Sequence, residues 1–286
     1  MKTMDGWASG LLGVAIFSGS LPATRIAVGD FSPLFLTSAR AVIAGVLAGV
    51  MLSAMKSPKP SRADFASLVI VALGVVIGFP LLTALALQQV SSAHSIVFIG
   101  LLPLMTAIFG VLRAGERPGA AFWFFSLLGS AIVVGFAAVE GTGGWAQGDL
   151  LMLAAIAVCG LGYAEGAQLS RRLGGWQVIS WALVISLLPM GLLVLAVLPA
   201  HWPQLASPSW LGLAYVSVFS MLVGFIFWYR GLARGGIASV GQLQLLQPFF
   251  GFLLAASLLG ETVSFTMLAS AMAVIACVFF ARRFAR

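Results

Sequence analysis

The sequence predicts an all-α membrane protein of ten transmembrane helices, arranged as two inverted five-helix repeats. Composition, continuous apolar runs and an internal repeat predict this fold class. Of the 286 residues, 61% are hydrophobic and 8% are charged, whereas a soluble domain carries about 25% charged residues. A chain this apolar cannot cover a water-facing surface with polar side chains. We therefore expect lipid to surround most of it.

Ten apolar runs are long enough to cross a membrane as helices, for which about 20 residues suffice. The runs are continuous and do not alternate in polarity, so helices are favoured over the strands of a barrel. We number them segments 1 to 10. In chain order they cover residues 7–29, 33–55, 65–87, 93–112, 120–139, 150–169, 176–198, 210–232, 237–259 and 262–281.

The basic residues predict the orientation, because cytoplasmic loops of membrane proteins collect Lys and Arg. With the N-terminus inside, 13 of the 15 Lys and Arg residues fall on the cytoplasmic side, and only Arg25 and Arg40 remain towards the other side. We expect both termini in the cytoplasm. This topology signal accounts for the net charge of +7 without a nucleic-acid partner.

A repeat with an offset of 145 residues divides the chain. Five spans is an odd number, so a second copy must enter the membrane from the opposite side, as in transporters that bind substrate between inverted repeats. We predict a first five-helix repeat over residues 1–139 and a second, inverted one over 140–286, together forming one transmembrane domain. The matching pairs are Ala93 and Ala238, Pro103 and Pro248, Gly115 and Gly260, and Glu116 and Glu261.

Each half therefore ends in Pro-x₁₁-Gly-Glu followed by a last apolar helix, and the first half adds Ser32-Pro33 leading to Arg40. In these features the whole chain resembles the drug/metabolite transporter superfamily, in its ten-helix EamA-type family, although the second half lacks a basic residue corresponding to Arg40. The resemblance implies a carrier in the bacterial inner membrane; family members export amino acids and other metabolites, and one aromatic amino-acid exporter also passes toxic cations. It further implies a cavity between segments 1, 3, 4, 6, 8 and 9, gated by segments 2 and 7, with segments 5 and 10 at the periphery.

Polar side chains in apolar helices are costly, so they are candidates for a substrate site. His94 begins segment 4 and could bind a carboxylate or amine or take up a proton, or could be satisfied by a carbonyl or water at the helix end. Segment 9 carries Gln242, Gln244 and Gln247 before Pro248. Proline frees a backbone carbonyl, so these amides could line a cavity, or they could hydrogen-bond to a neighbouring helix.

Further candidates lie in segments 1, 4, 6 and 8. The outer half of segment 1 is polar and interrupted, which indicates either an exit path or a kink. Aromatic rings in segments 4, 6 and 8 could form walls for a flat or apolar substrate, or could serve packing alone. The predicted substrate-binding residues are His94, Phe98, Ser18, Tyr163, Trp228, Gln242, Gln244 and Gln247, and the predicted gating or helix-break residues are Pro22, Pro103, Pro248 and Arg40.

Two expectations concern charge within the membrane. Arg40 lies about 10 Å from its helix end, so we expect it to reach the outer interface or to pair with Asp30, in preference to attracting an anionic group. No Asp or Glu falls near the centre of a predicted segment. Because proton- and sodium-driven carriers commonly use a buried carboxylate, this favours facilitated transport, with His94 as the remaining conventional proton site.

Other classes of protein fit the sequence less well. The chain has two histidines, no His-Glu-x-x-His and no Gly-x-Ser-Gly, and its cysteines, Cys159 and Cys277, lie in apolar runs; we therefore predict no catalytic residue, metal site or cofactor. A channel requires a polar stripe along its pore. We predict a monomeric exporter of small neutral or zwitterionic metabolites, such as aromatic or neutral amino acids. The alternatives are an exporter of drugs or toxic cations or, with less support, a channel or a non-transporting membrane protein.

Overall fold

The computed structural model describes residues 2–114, 120–140, 147–204, 207–235, 240 and 242–283, and all regular structure within these ranges is helical. Seven of the described helices are long and apolar enough to cross a membrane: Gly6–Ala27, Pro33–Ala54, Arg62–Ala86, Ser92–Leu112, Gln147–Leu173, Gly175–Ala196 and Pro208–Arg234. Three shorter apolar helices cover Trp123–Val133, Gln247–Leu259 and Phe265–Cys277. The all-helical membrane class is thus confirmed, whereas the ten spans, the inverted repeats and the position of the termini remain predictions.

The described helices fall in chain order on the ten predicted segments, whose numbers we keep. Several segments are interrupted or change their helical type. The bounds are Lys2–Ser18 and Ser20–Ala27 (segment 1), Pro33–Ala54 (2), Arg62–Val71, the π-helix Ala72–Gly78 and Phe79–Ala86 (3), Ser92–Ile99 and Leu102–Ala114 (4), Ala120–Glu140 (5), Gln147–Leu173 (6), Gly175–Ala196 (7), Pro208–Ala214, the π-helix Tyr215–Val223 and Gly224–Gly235 (8), the 3₁₀-helix Gln242–Leu246 and Gln247–Leu259 (9) and Phe265–Arg283 (10).

Two kinds of irregularity occur in equivalent places in the two halves, whereas the interruption of segment 1 has no counterpart in the continuous helix of segment 6. Segments 4 and 9 both restart one residue before a proline, at Leu102 and Gln247, which are 145 residues apart. Proline is tolerated there because the first turn of a helix needs no intrahelical N–H donor. Segments 3 and 8 both contain a π-helix in mid-span, a feature that is frequent at functional sites. The positions of these breaks agree with the predicted duplication.

Small residues bring pairs of segments into close contact. Segment 1 packs on segment 8, segment 2 on segment 7, segment 3 on segment 6 and segment 5 on segment 10. A Cβ atom on Gly231 would lie 2.8 Å from the Cα of Gly10, and one on Gly74 would lie 2.6 Å from the carbonyl oxygen of Val158. Glycine at such positions lets helix backbones approach closely. Contacts between segments 1 and 8 and between segments 3 and 6 therefore join the two halves at short range.

Candidate functional site

A small central cavity lies where the two halves meet. Its volume is about 20 Å³, which is room for about one water molecule. Both halves line it, through the six segments that the family resemblance implies and through segment 2. The lining residues are Phe17, Ser20, Leu21, Arg40, Val75, Phe79, Ile99, Leu102, Cys159, Tyr163, Ser220, Phe225 and Gln247.

Arg40 is the one charged side chain among these lining residues. It is only 4% exposed, so the expectation that it reaches the outer interface is wrong. Its Nη2 donates to Ser220 Oγ at 3.5 Å, and Ser220 Oγ in turn lies 2.7 Å from Ser20 Oγ. The Nε atom has no hydrogen-bond partner in the described part of the chain. Arg40 is the eighth residue of its helix. Its guanidinium contacts segment 8 through Ser220, and segment 1 lines the same cavity.

The predicted partner of Arg40 is engaged elsewhere. The carboxylate of Asp30, in the loop after segment 1, accepts a hydrogen bond from the hydroxyl of Ser207. Hydrogen bonds from Ser207 and Ser209 hold the pKa of Asp30 below its ordinary value. The expectation of an Arg40–Asp30 pair is therefore not met, and the guanidinium lacks a protein carboxylate among the cavity-lining residues.

Two of the predicted glutamines are buried beside the interruption of segment 9. Gln247 lines the cavity and is 8% exposed, and Gln244 is 2% exposed. Gln247 Oε1 and Gln244 Nε2 lack hydrogen-bond partners among the described residues. Buried amide atoms are normally satisfied, so an unpaired Oε1 facing a cavity is a site for a donor from a ligand. The side chain of Gln242 lies outside the described residues.

An aromatic cluster borders the cavity on the side of segments 1, 6 and 8. The rings of Phe17 and Phe225 pack edge to face with centroids 4.9 Å apart. Tyr163 lies 5.9 Å from Phe225 and 6.0 Å from Trp228. Trp228 is 1% exposed and its indole N–H finds no acceptor in the described ranges. Of the predicted aromatic residues, Tyr163 lines the cavity directly, and Trp228 packs behind it.

The structure places several other predicted residues outside the cavity lining. Ser18 Oγ donates to the carbonyl of Val14 at 2.8 Å within its own helix. Phe98 is fully buried and packs near His94, with ring centroids 5.7 Å apart. Pro22 and Pro248 are buried within their helices, and segment 4 restarts just before Pro103.

The side chain of His94 is hydrogen-bonded to Asp149, a residue that the sequence predicts at the end of a segment. Its Nε2 lies 2.6 Å from Oδ1 of Asp149, in the first turn of segment 6. Asp149 is completely buried, and the His94 side chain is 12% exposed. Asp149 Oδ2 has no partner within the described structure. Asp149 thus lies at the end of a span, as the sequence predicts, and is buried there; facilitated transport stays a prediction.

Hydrogen bonds join the two halves at both ends of the helix bundle. At the end that the predicted topology places outside, Glu261 accepts bonds from the backbone N of Ser92 at 3.0 Å and of Ala93 at 2.7 Å. At the opposite end, Arg172 bonds to Asp64, and Ser67 donates to Glu165 at 2.7 Å. The two halves are therefore in contact at both ends of the bundle, on either side of the small cavity.

The fold and the site define the class of protein. The chain is an integral, multi-pass membrane protein with a small central cavity that is lined mainly by apolar residues and carries a few polar side chains, features that are compatible with a solute transporter. Among the described residues, no group of three or more His, Cys, Asp or Glu side chains is placed to hold a metal ion. The model of the EamA-like transporter family matches residues 5–138 and again residues 146–283. The chain belongs to the EamA-like transporter family.

Individual relatives agree with this assignment. "Uncharacterized transporter YdeK" of Bacillus subtilis (strain 168) is 64% identical over 285 residues, covering 100% of this chain and 99% of the relative. "Probable terminal-alkyne amino-acid exporter" of Streptantibioticus cattleyicolor (strain ATCC 35852 / DSM 46488 / JCM 4925 / NBRC 14057 / NRRL 8057) is 23% identical, covering 89% of this chain and 85% of the relative. A solved structure titled "Crystal structure of protein" shares the fold with a TM-score of 0.70 at 20% identity, over 99% of this chain and 98% of that one.

Several of the residues that line the cavity are not among the residues predicted from the sequence. Ser220 and Val75 line the cavity and are 145 residues apart, at equivalent places in the π-helices of segments 8 and 3. The repeat offset alone would have paired these two positions. Phe225 was missed because a phenylalanine in an apolar helix carries no signal that separates a cavity wall from ordinary packing.

Proposed function

We propose that this transporter exports small zwitterionic metabolites, above all amino acids with neutral or aromatic side chains, by alternating access around the central cavity. The observation that carries this proposal is the pairing of two unsatisfied groups in one cavity. Arg40 presents a guanidinium with a free Nε, and Gln247 presents a free amide oxygen. The first suits a carboxylate and the second suits an ammonium group.

Arg40 is the binding group for the carboxylate. A buried charge is costly unless it is paired and hydrogen-bonded, and the bonds that Arg40 makes to protein leave its charge uncompensated by a lining carboxylate. A guanidinium binds a carboxylate through two parallel hydrogen bonds. The hydroxyl pair of Ser220, which contacts Arg40, and Ser20 has one proton left to donate to the same carboxylate.

Gln247 and the aromatic cluster hold the rest of the substrate. An ammonium group carries donors alone, so it binds to the free Oε1 of Gln247. The rings of Phe17, Tyr163 and Phe225 form an apolar wall for a neutral or aromatic side chain. The printed name of the Streptantibioticus relative, an amino-acid exporter, supports the same class of solute.

The contacts between the two halves at both ends of the bundle support an alternating-access cycle. A cavity of about 20 Å³ is too small for an amino acid, so the substrate enters only when the halves separate at one end. The contacts between Arg172 and Asp64 and between Glu261 and segment 4 are the bonds that break in turn. Two halves of similar structure supply two packings of similar energy. The two matches of the family model, one to each half, support this duplication.

Export of aromatic cations is the second candidate, and the aromatic cluster favours it. Four rings, those of Phe17, Tyr163, Phe225 and Trp228, lie within 6.3 Å of a neighbouring ring, and aromatic faces attract cations. Arg40 opposes this reading, because a buried positive charge in the same cavity repels a cationic substrate.

Counterflow in liposomes tests the proposal. The purified protein is reconstituted into liposomes loaded with an unlabelled neutral amino acid, and entry of the labelled amino acid is followed. We expect saturable entry that exceeds that of protein-free liposomes, with aromatic and branched side chains preferred. If no neutral amino acid exchanges while the protein is monodisperse and correctly inserted, the proposed substrate class is wrong.

A further inference from the structure

A pair of titratable side chains joins the two halves away from the central cavity. His94 begins segment 4 in the first half, and Asp149 begins segment 6 in the second half. Their side chains meet at 2.6 Å. The imidazole is flanked by the rings of Phe136, at 4.9 Å, and Phe98, at 5.7 Å. A hydrogen-bonded pair of titratable groups in largely apolar surroundings is therefore one of the contacts between the halves at this end.

The pair is built to bind a proton. Asp149 is fully buried with Oδ2 unpartnered in the described part of the molecule, so its carboxylate is incompletely satisfied. His94 is the more exposed partner, with 12% of its side-chain surface exposed. When its imidazole takes a proton from hydronium, releasing water, the pair changes from one net negative charge to none. Histidine is the side chain that makes this change near neutral pH.

The other charged groups near the pair are few. Glu261, after segment 9, accepts hydrogen bonds from the backbone of Ser92 and Ala93, just before His94. Arg25, in segment 1, donates to the carbonyl of Leu87, before segment 4. Asp30 follows segment 1, at the end that the predicted topology places outside, and accepts a hydrogen bond from the hydroxyl of Ser207. Each of these three charged side chains has a hydrogen-bond partner other than His94 and Asp149.

We propose that His94 and Asp149 form a proton-binding site that controls opening of the outer end of the transporter. Protonation turns the hydrogen bond between neutral imidazole and carboxylate into an imidazolium–carboxylate ion pair, which is stronger, so the closed outer end binds the proton more tightly than the open one. By linkage, acid outside holds the outer end closed, and a higher external pH favours outward opening. This inference rests on the proposed transport function and on the predicted topology.

Alkylation of Cys159 reports outward opening without any substrate. Cys159 lines the cavity and is 1% exposed. In a Cys277→Ala background it is the remaining thiol of the chain, which has two cysteines. A membrane-impermeant maleimide is added outside intact cells between about pH 5.5 and pH 8, the range over which histidine titrates. The intrinsic pH dependence of the thiol is removed by dividing each rate by that of the Asp149→Asn variant.

We divide the alkylation rate of Cys159 in the Cys277→Ala protein by the rate in the same protein with Asp149→Asn. We expect this ratio to rise at least about threefold from acid to alkaline pH. A ratio that does not change with pH overturns the proton site. His94→Gln provides a second reference if Asp149→Asn does not reach the membrane, and it is expected to give the same result. His201→Gln is the matched control, because His201 is the other histidine and lies exposed outside the segments. If His201→Gln, and not His94→Gln, abolishes the pH dependence of alkylation, the proposal is also overturned.

The transport assay separates the two proposals. Amino-acid counterflow together with a constant alkylation ratio rejects the proton site and leaves the proposed function intact. A rising ratio without counterflow of any amino acid supports the proton site and rejects the proposed substrate. Neither result depends on the other, because the maleimide reaction requires opening alone.

Discussion

The guanidinium of Arg40, in segment 2, and the hydroxyl of Ser220, in segment 8, meet 3.5 Å apart in the central cavity. They belong to opposite halves of the chain. Ser220 also bonds to Ser20 of segment 1, so three segments converge on one buried positive charge. Any separation of the halves at this level changes what surrounds the charge. In the proposed function, this charge binds the carboxylate of the substrate.

Replacing Arg40 by glutamine is expected to weaken transport of zwitterions. A hydrogen bond to a charged group contributes about 1.5–3 kcal/mol, so KM should rise about 10- to 150-fold. Counterflow over a range of amino-acid concentrations measures it. Arg171→Gln is the matched control, because Arg171 is exposed at the far end of segment 6. Equal KM values for the two variants would exclude Arg40 as the carboxylate group.

Replacing Gln247 by leucine is expected to remove recognition of the ammonium group. KM for an amino acid should rise about tenfold, whereas KM for the same compound with an acetylated amine should stay within about twofold. Gln244→Leu serves as the control, since it removes a buried amide from the same segment that is not among the lining residues. If acetylated and free amines are affected alike, the amide has a structural role.

Much of this architecture could be predicted from the sequence, because lipid imposes simple rules on an apolar chain. Continuous runs of about 20 apolar residues and the paired prolines Pro103 and Pro248 predict the helices and the interruptions of segments 4 and 9. The helix restarts at Leu102 and Gln247 lie one residue before these prolines. The π-helices of segments 3 and 8 could not be predicted, since an added residue in a helical turn leaves no compositional signal.

The candidate site was less predictable than the fold. Gln247 and Tyr163 line the cavity, as expected for polar and aromatic side chains within apolar helices. The predicted position of Arg40 at the outer interface was wrong. Its distance from the helix end allows its side chain to reach that interface, and tertiary packing alone decides whether neighbouring helices cover it. The contact of His94 with Asp149 joins residues 55 apart in the sequence, and helix periodicity carries no information on which residues meet across two segments.

Replacing Gly74 by alanine, which adds one methyl group, is expected to destabilise the protein. Its Cβ would lie 2.6 Å from the carbonyl oxygen of Val158 and 2.9 Å from the Cα of Gly162, and backbone atoms cannot yield. Overpacking of this kind costs about 1–3 kcal/mol, so Gly74→Ala should unfold at a lower temperature in detergent. Gly49→Ala is the matched control, because its nearest neighbour would be a side-chain atom of Val184 at 3.7 Å. Equal unfolding temperatures would contradict the close contact of segments 3 and 6.

The predicted topology places the loop after segment 2 inside the cell and the loop after segment 7 outside. Both loops contain exposed positions, Lys59 and Gln204. In a background with Cys159 and Cys277 replaced by alanine, an impermeant maleimide should label Gln204→Cys in intact cells and label Lys59→Cys only after the cells are opened. Labelling of both positions from the same side would show that the number of spans between them is even, against the ten-segment arrangement.

The measurement that tests the central claim most directly is transport of three related compounds by the unaltered protein in liposomes. They are an aromatic amino acid, the amine that lacks its carboxylate and the acid that lacks its ammonium group. Because the cavity offers Arg40 to a carboxylate and Gln247 to an ammonium group, we expect counterflow of the amino acid to exceed that of either analogue by about tenfold or more. Preferred transport of the amine would contradict the account and identify an exporter of cationic compounds instead.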